Sequence, residues 1–449
     1  MVVIQLLFCV KHLVVYIIVK KITTLIDTIM KKIFIFLCLF SCNAFSQNAV
    51  EVYQQSLKKL SEKDTTAFLQ FAQQAYTLAP RHPNIMANLA KAFAMSGKKR
   101  QSIELLDDIS VIGFDYTVEH DSGFMNIWKH SLLNDIAARA KRNTKIITSD
   151  LAYSLPEKDI IPEGIAYDPR QQRLYISSIY KRKIVFISSN GTSGDFFTEA
   201  QNGLYSTLGM KVDAARNHLW VVGILNSPNA RIGNKNEPTK AAVFQYNLET
   251  KHLIHQYSLN DTLQQMFNDL VFVGGNVFVT DTKQQSVYKI VPGKKTMDRW
   301  FQSDGLFRPN GIAVSQDQRY LFVAHWNGIT RITIADTQQI QLQTKLNTTF
   351  SGIDGLSFYN NSLIAIQNTA GPQSRVMQFE LNKEMNSVVR AIILESGNPL
   401  CNFPTTGVIV GDELYFIANS QLQSFHADGT IFSHDKLQPT IILKLPLNN

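Results

Sequence analysis

Six stretches of this chain open in the same way, and that repetition limits its fold more than any other feature. They are Glu163-Gly164-Ile165, Leu208-Gly209-Met210, Asn268-Asp269-Leu270, Asn310-Gly311-Ile312, Asp354-Gly355-Leu356 and Thr406-Gly407-Val408. Each is followed, across a polar turn, by a run of strand composition: 173–177, 218–222, 276–280, 320–324, 362–366 and 413–417. Turn sequences such as Asp168-Pro169-Arg170 and Tyr359-Asn360-Asn361 lie between the paired runs, as a hairpin requires. Self-similarity at a period of about 40–60 residues, all strand and no helix, predicts one sheet per copy. The fold class is therefore mainly β, a six-bladed β-propeller over residues 145–449, with blades of four strands around a channel. Such a ring closes by pairing its first and last strands so that no edge is exposed. The segment 145–154 or the terminal 441–447 supplies the closing strand. A β-sandwich has similar alternation but gives no reason for six copies of one opening.

A propeller brings one position from each copy to a similar depth at its channel. That position reads Glu163, Leu208, Asn268, Asn310, Asp354 and Thr406. Two carboxylates and two amide carbonyls among these are the hard oxygen donors that Ca²⁺ takes, with room for waters. With no thiolate and no nearby imidazole, the set does not suit a zinc site of His or Cys ligands. Taken singly, each residue has a plainer reading. Asn and Asp before Gly are common turn residues, and Glu163 could cap a backbone group. Four in one register point to a divalent metal, Ca²⁺ being the expected ion.

The openings Pro162-Glu163-Gly164-Ile165, Phe267-Asn268-Asp269, Arg308-Pro309-Asn310-Gly311-Ile312 and Ile353-Asp354-Gly355-Leu356 resemble those of the SMP-30/gluconolactonase/LRE-like family. Paraoxonases share much of that layout. The resemblance extends over about residues 160–420 and is spread across several blades, so it is more specific than a single short motif. It implies that Glu163, Asn310 and Asp354 bind the metal, with Asn268 near metal or substrate. The implied chemistry is hydrolysis of lactones or related small esters. There the metal polarises a carbonyl and lowers the pKa of a water, and a carboxylate takes the proton. Asp354 is the candidate base, and a role as ligand alone is equally open.

The sequence also departs from that family. No substrate-binding Arg and no paraoxonase-type His pair is matched. His218 and His325 lie in strand runs; His325, in Val323-Ala324-His325-Trp326, could face the pore, yet an isolated strand His is more often a core residue. Asn368 and Asn419 end the corresponding strands of blades 5 and 6; they either line the middle of the channel or turn the chain, and the turn is the favoured reading. The loop 224–239, rich in Asn, Pro and Gly, is expected to cover one face and shape specificity.

Residues 47–144 carry helical periodicity instead. Phe68, Phe71, Ala72, Ala75, Tyr76 and Leu78 recur on one face, and Pro80 and Pro83 end that helix. The pair 85–95 and 101–109, joined by Ser96-Gly97-Lys98-Lys99, resembles one tetratricopeptide repeat. Ala90 and Ser102 allow close approach while Leu89 and Phe93 fill the seam. Fewer than three repeats rarely fold alone, so this module is expected to pack on the propeller as a cap or spacer. A peptide-binding groove, with a protein partner, is the competing reading.

Residues 1–46 are set apart as a leader. Lys31-Lys32, the apolar run 33–40 and Ala44-Phe45-Ser46 form the three regions of a secretory signal peptide, cleaved before Gln47. A periplasmic or secreted location follows, with no stable membrane span after processing. Lipidation of Cys42 fits less well, because Phe40 is bulky for such a site. The stretch 2–19 is broken by Lys11 and His12; it is either a marginal membrane span or sequence upstream of a start at Met30, and the second is the favoured reading. Loss of the leader takes five lysines and Asp27 and lowers the net charge from +8 to +4. With no basic cluster interleaved with aromatics, nucleic acid is not an expected partner. Only Cys401 remains of four cysteines, so no internal disulfide can form. A haem or quinone propeller lacks support, since there is no Cys-x-x-Cys-His haem attachment. Two functions remain: a metal-dependent hydrolase, or a non-catalytic propeller with a structural metal that binds a protein or glycan.

Overall fold

The computed structural model describes residues 49–449 apart from 117, 120, 235–236, 260–262, 369–372, 427 and 449, so the leader and Cys42 lie outside the described residues. Six antiparallel sheets follow one another along the chain. Blades 1 to 4 each take four consecutive strands, from Pro162–Asp168 in blade 1 to Gln339–Gln341 in blade 4. Blade 5 gains a short fifth strand, Gln343–Thr344, which pairs in parallel with Ser387–Ser396. Blade 6 closes the ring. Asp150–Leu155 pairs with Thr440–Pro446, so the two segments proposed as alternatives for closure are each other's partners.

Alternation along the strands explains why they read as almost continuous apolar runs. In blade 3, Val277 and Val279 belong to the core shared with blade 2, while Phe278 between them belongs to the core shared with blade 4. Successive side chains of a strand point to opposite faces, and here a neighbouring blade covers both. The same division sends Leu363 and Ala365 towards blade 4, and Ile364 and Ile366 towards blade 6. Apolar cores therefore lie between blades.

The shared openings sit where the inner strand pairs irregularly. In blades 1, 2, 3 and 5 the pairs Glu163-Gly164, Leu208-Gly209, Asn268-Asp269 and Asp354-Gly355 each oppose a single residue of the second strand. Such bulges bend a strand and re-aim its side chains. The amide freed in blade 1, Gly164 N–H, donates to Ser177 Oγ at 2.7 Å, and Asp269 N–H in blade 3 donates to Thr280 Oγ1 at 3.2 Å.

The backbone here also holds blade to blade. Gly311 N–H donates to the Asp354 carbonyl at 2.9 Å, and Gly355 N–H to the Thr405 carbonyl at 3.0 Å. Thr280 Oγ1 donates to the Asn310 carbonyl at 2.7 Å, and Thr405 and Thr406 hydroxyls to the Glu163 carbonyl at 3.0 and 2.6 Å. Between blades 1 and 2 and between 2 and 3 the approach is closer than a side chain permits. A Cβ on Gly164 would lie 2.0 Å from the Leu208 oxygen, and one on Gly209 would lie 2.6 Å from the Asn268 oxygen. The repeated glycine is thus a matter of space.

Among the described residues five α-helices run ahead of the propeller: α1 (Ala49–Ser61), α2 (Thr65–Leu78), α3 (Pro83–Met95), α4 (Lys99–Ile112) and α5 (Leu133–Asn143). Pro83 begins α3 at its first turn, where a missing N–H costs nothing. Ala90 and Ser102 are fully buried in the α3–α4 seam, beside Leu89 and the partly buried Phe93. From Tyr53 onward helices and propeller form one compact unit. Arg375, buried in blade 5, joins them. Its guanidinium donates to the Ile112 carbonyl at the end of α4 and to Gln367 Oε1, at 2.8 and 2.7 Å, and stacks over Phe114. His82, just before α3, stacks on Trp326 of blade 4 with ring centres 4.2 Å apart. No helix among the described residues is long and apolar enough to cross a membrane.

Two measurements test this architecture. A Cβ on Gly311 would meet the Asp354 oxygen at 2.2 Å, whereas one on the exposed Gly305 meets only the Ser303 hydroxyl at 3.3 Å. Gly311→Ala is expected to lower unfolding stability by roughly 3 kcal/mol, the upper range for overpacking, with Gly305→Ala near wild type. Equal stabilities in denaturant titration would refute the close approach. The second concerns His82, whose pKa burial pulls down to about 4. An unfolded His titrates near 6.5, so below that pH the folded state binds fewer protons. The stability present above about pH 6.5 is then lost as pH falls towards 4, by about 3 kcal/mol for this residue. His82→Phe keeps a stacking ring and removes Nδ1, which is buried without a partner. Its stability should fall less than that of wild type between pH 7 and 4.5, and parallel acid limbs would refute the assignment. His325, also pulled down to about 4 by burial, adds the same slope to both proteins.

Candidate metal centre

The re-aimed side chains meet at one end of the channel. A cavity of about 570 Å³ is lined there by Glu163, Asn268, Asn310 and Asp354, all four residues marked by the sequence. Leu208 joins them at the same depth. Thr406 does not, because its hydroxyl is spent on the Glu163 carbonyl. Glu163, Asn268 and Asp354 are each at most 6% exposed.

The four share unmet hydrogen bonding on one cavity. Glu163 Oε2, Asn268 Oδ1, Asn310 Oδ1 and Asp354 Oδ1 are buried and have no hydrogen-bond partner. Leaving one such oxygen unpaired costs about 1–3 kcal/mol, so four facing one cavity are a strong indication of a missing partner. A divalent cation with hard-oxygen preference could be that partner. Among the described residues no group of three or more His, Cys, Asp or Glu stands at metal-binding spacing. The donor set here is two carboxylates and two amides, and it fits Ca²⁺ better than a softer ion.

The electrostatics agree. Burial first, then the charges of Asp354 and Asp269, push the Glu163 carboxyl well above its ordinary range, and only Lys211 opposes them. Asp354 is raised to about 6, chiefly by burial, against the pull of hydrogen bonds from Asn368 and Asn310. A bound cation would reverse these shifts by favouring the ionised forms.

Asn368 is the functional neighbour that sequence reasoning passed over as a turn residue. Its Nδ2 donates to Asp354 Oδ2 at 2.6 Å and to the Pro404 carbonyl at 2.9 Å. One oxygen of Asp354 is pinned and the other left facing the cavity. Asn419 does serve the chain path, bonding the Pro439 carbonyl and the Ile441 amide. His325 lines the cavity, with Nε2 on Thr330 Oγ1 at 3.0 Å and Nδ1 unpartnered. Burial keeps it neutral at physiological pH. His218 lies outside the cavity, its ring against Gln245. Ser227, Pro228, Asn229 and Thr239 bring the 224–239 loop to the wall. Cys401 lies apart, its thiol pushed up to about 12 by burial and Glu395, and so is protonated and unreactive.

No family model matches the chain, and no curated protein matches it. Solved structures do resemble it, among them proteins of the gluconolactonase and regucalcin kind that the blade openings resemble. A gluconolactonase from Xanthomonas campestris is 16% identical, over 68% of this chain and 94% of its own, with a TM-score of 0.44. A calcium-binding regucalcin from Agrobacterium tumefaciens is 14% identical, over 66% and 95%, with a TM-score of 0.45. A PQQ-bound aldose sugar dehydrogenase from Streptomyces coelicolor is 13% identical, over 67% and 97%, with a TM-score of 0.46. The propeller itself rests on the strand pairing described above.

The unbalanced charge in the cavity has a measurable consequence. In chelator at pH 7.5, Glu163→Gln is expected to melt above wild type, because it removes a buried ionisation beside Asp354. Added Ca²⁺ should raise the melting temperature of wild type and leave the variant unmoved. A wild type indifferent to Ca²⁺, Mg²⁺ and Mn²⁺ would remove the metal centre.

Proposed function

We propose that this protein is an exported hydrolase of lactones or related small esters that depends on a divalent metal, most simply Ca²⁺. The observation that carries the proposal is the convergence of four buried, unpartnered oxygens on one cavity. When bound, the cation would supply Lewis acidity towards a carbonyl oxygen. Glu163, Asn268, Asn310 and Asp354 would hold it. The pocket's aliphatic and aromatic walls, including Leu208, Ile224 and Trp326, exclude bulk water and orient an acyl group. Asp354, whose Oδ2 is held by Asn368, would give Oδ1 either to the cation or, where the other three residues hold it, to the proton of the attacking water. The water oxygen bonds to the acyl carbon, the acyl–oxygen bond breaks, and the departing alkoxide takes the proton. Export is supported by the leader pattern at 30–47.

The second reading, a binding propeller with a structural metal, differs in one respect. A structural ion is enclosed by protein ligands, whereas a catalytic one faces a substrate cavity. The size and apolar lining of this cavity favour the first.

A pH-stat assay on sugar, aliphatic and aryl lactones decides between them. Acid release is expected with Ca²⁺ and none with chelator. Asp354→Asn should lose about 100-fold or more in kcat, the usual range for removing a general base, while circular dichroism shows an intact propeller. Tight Ca²⁺ binding with no turnover on any ester class would favour the binding module. Full activity in Asp354→Asn would eliminate the proposed base.

A further inference from the structure

The charged side chains lining the cavity divide by depth. The acids Glu163 and Asp354 are buried, whereas the cations Lys283 and Arg308 are exposed at the mouth. One divalent ion at the floor matches the two carboxylates. The two cations are then left over. Among the described residues Lys283 Nζ reaches only neutral oxygens, Gln264 Oε1 at 2.9 Å and Thr239 Oγ1 at 3.5 Å. Arg308 has no hydrogen-bond or ion-pair partner among the described residues. A loaded cavity would carry an uncompensated positive mouth above an apolar wall formed by Leu208, Ile224, Met266 and Trp326.

The backbone at Arg308 is unusual as well. Its φ is +56°, and Pro309 follows it. A long side chain in the left-handed region is uncommon, and a following proline disfavours helical backbone further. Phe403, which also lines the cavity and precedes Pro404, repeats the arrangement at +60°, as does the fully buried Ile161 before Pro162 at +48° outside the cavity. Such strain persists only where the surrounding structure enforces it, and it gathers at binding sites. Here it turns two side chains into the cavity beside the ring residues Asn310 and Thr406.

We infer that the cavity takes an amphiphilic anion: an ester or lactone whose apolar body lies along the wall and whose carboxylate is held at the mouth by Arg308, with Lys283 beside it. This rests on the hydrolase reading for the ester and on the cavity alone for the anion. A guanidinium suits a carboxylate because its planar donors pair with both oxygens. Arg308 is thus a specificity residue, remote from the reacting carbonyl.

The test separates the two readings. With chelated full-length protein, calorimetry compares 4-phenylbutyrate with its neutral amide. The carboxylate is expected to bind at least tenfold more tightly, and Arg308→Gln to bring the two within about threefold. With Ca²⁺, hydrolysis of monophenyl glutarate is compared with that of phenyl butyrate. Arg308→Gln should raise KM for the charged ester about tenfold, leave its kcat unchanged, and spare the neutral ester. Equal affinity for both probes, no binding of the carboxylate, or an unchanged ratio in Arg308→Gln overturns the inference. Hydrolysis of both esters without charge preference does so while leaving the hydrolase standing. A carboxylate preference without Ca²⁺ binding or turnover upholds the anion site and removes the hydrolase.

Discussion

The contact on which the rest of the structure depends is the approach of each blade to the next at the channel. Six carbonyls take part, and each is met by a neighbour's amide, hydroxyl or glycine: Leu208, Asn268, Asn310, Asp354, Thr405 and Glu163. Five of these belong to residues of the shared position itself. Their backbone therefore closes the ring, while the side chains of Glu163, Asn268, Asn310 and Asp354 are left facing the cavity. A residue with this division of labour can change its side chain from Leu to Asn to Asp without disturbing the circle. Chemistry can then be placed at the channel at little risk to the architecture, and the six shared positions differ in this way.

That placement has an energetic cost. Two carboxylates and two amide oxygens face inward without partners, in a place where burial already disfavours charge. The cores between blades are apolar and continuous, and they absorb the cost by fixing the strands on both faces. A proton on Glu163 relieves part of it, and a cation relieves more. The site is thus built for a ligand the chain itself does not supply.

Much of this was legible in the sequence, because a repeat announces both its period and its special position. The glycine after the ring residue could be seen, although its reason, a carbonyl 2.0 Å from the missing Cβ of Gly164, belongs to the neighbouring blade. Contacts between distant segments were not legible. Asn368 looks like any residue ending a strand, and only the fold brings it to Asp354, fourteen positions earlier. Closure was half legible: two candidate strands could be named, but not that they pair with each other. The α5 helix left no clear mark, since its buried face is only Leu133, Ile136 and Ala140.

The helical module gains its place from the same long-range contacts. A single repeat-like pair lacks the neighbours that bury its faces, and blades 4 and 5 supply them. Arg375 is held without a carboxylate by the carbonyl that ends α4, where the helix dipole favours a cation, and by the face of Phe114. Its other partner, Gln367, donates in turn to the carbonyls of Thr349 and Ser351, in the segment leading to Asp354. Across the same face His82 backs Trp326, a wall of the cavity. The module thus touches the candidate site at two removes, through the floor and through the wall. A spacer would need neither contact, and a cap over bare strand edges would not reach a cavity residue. The geometry makes the helices part of the frame that holds the cavity in shape.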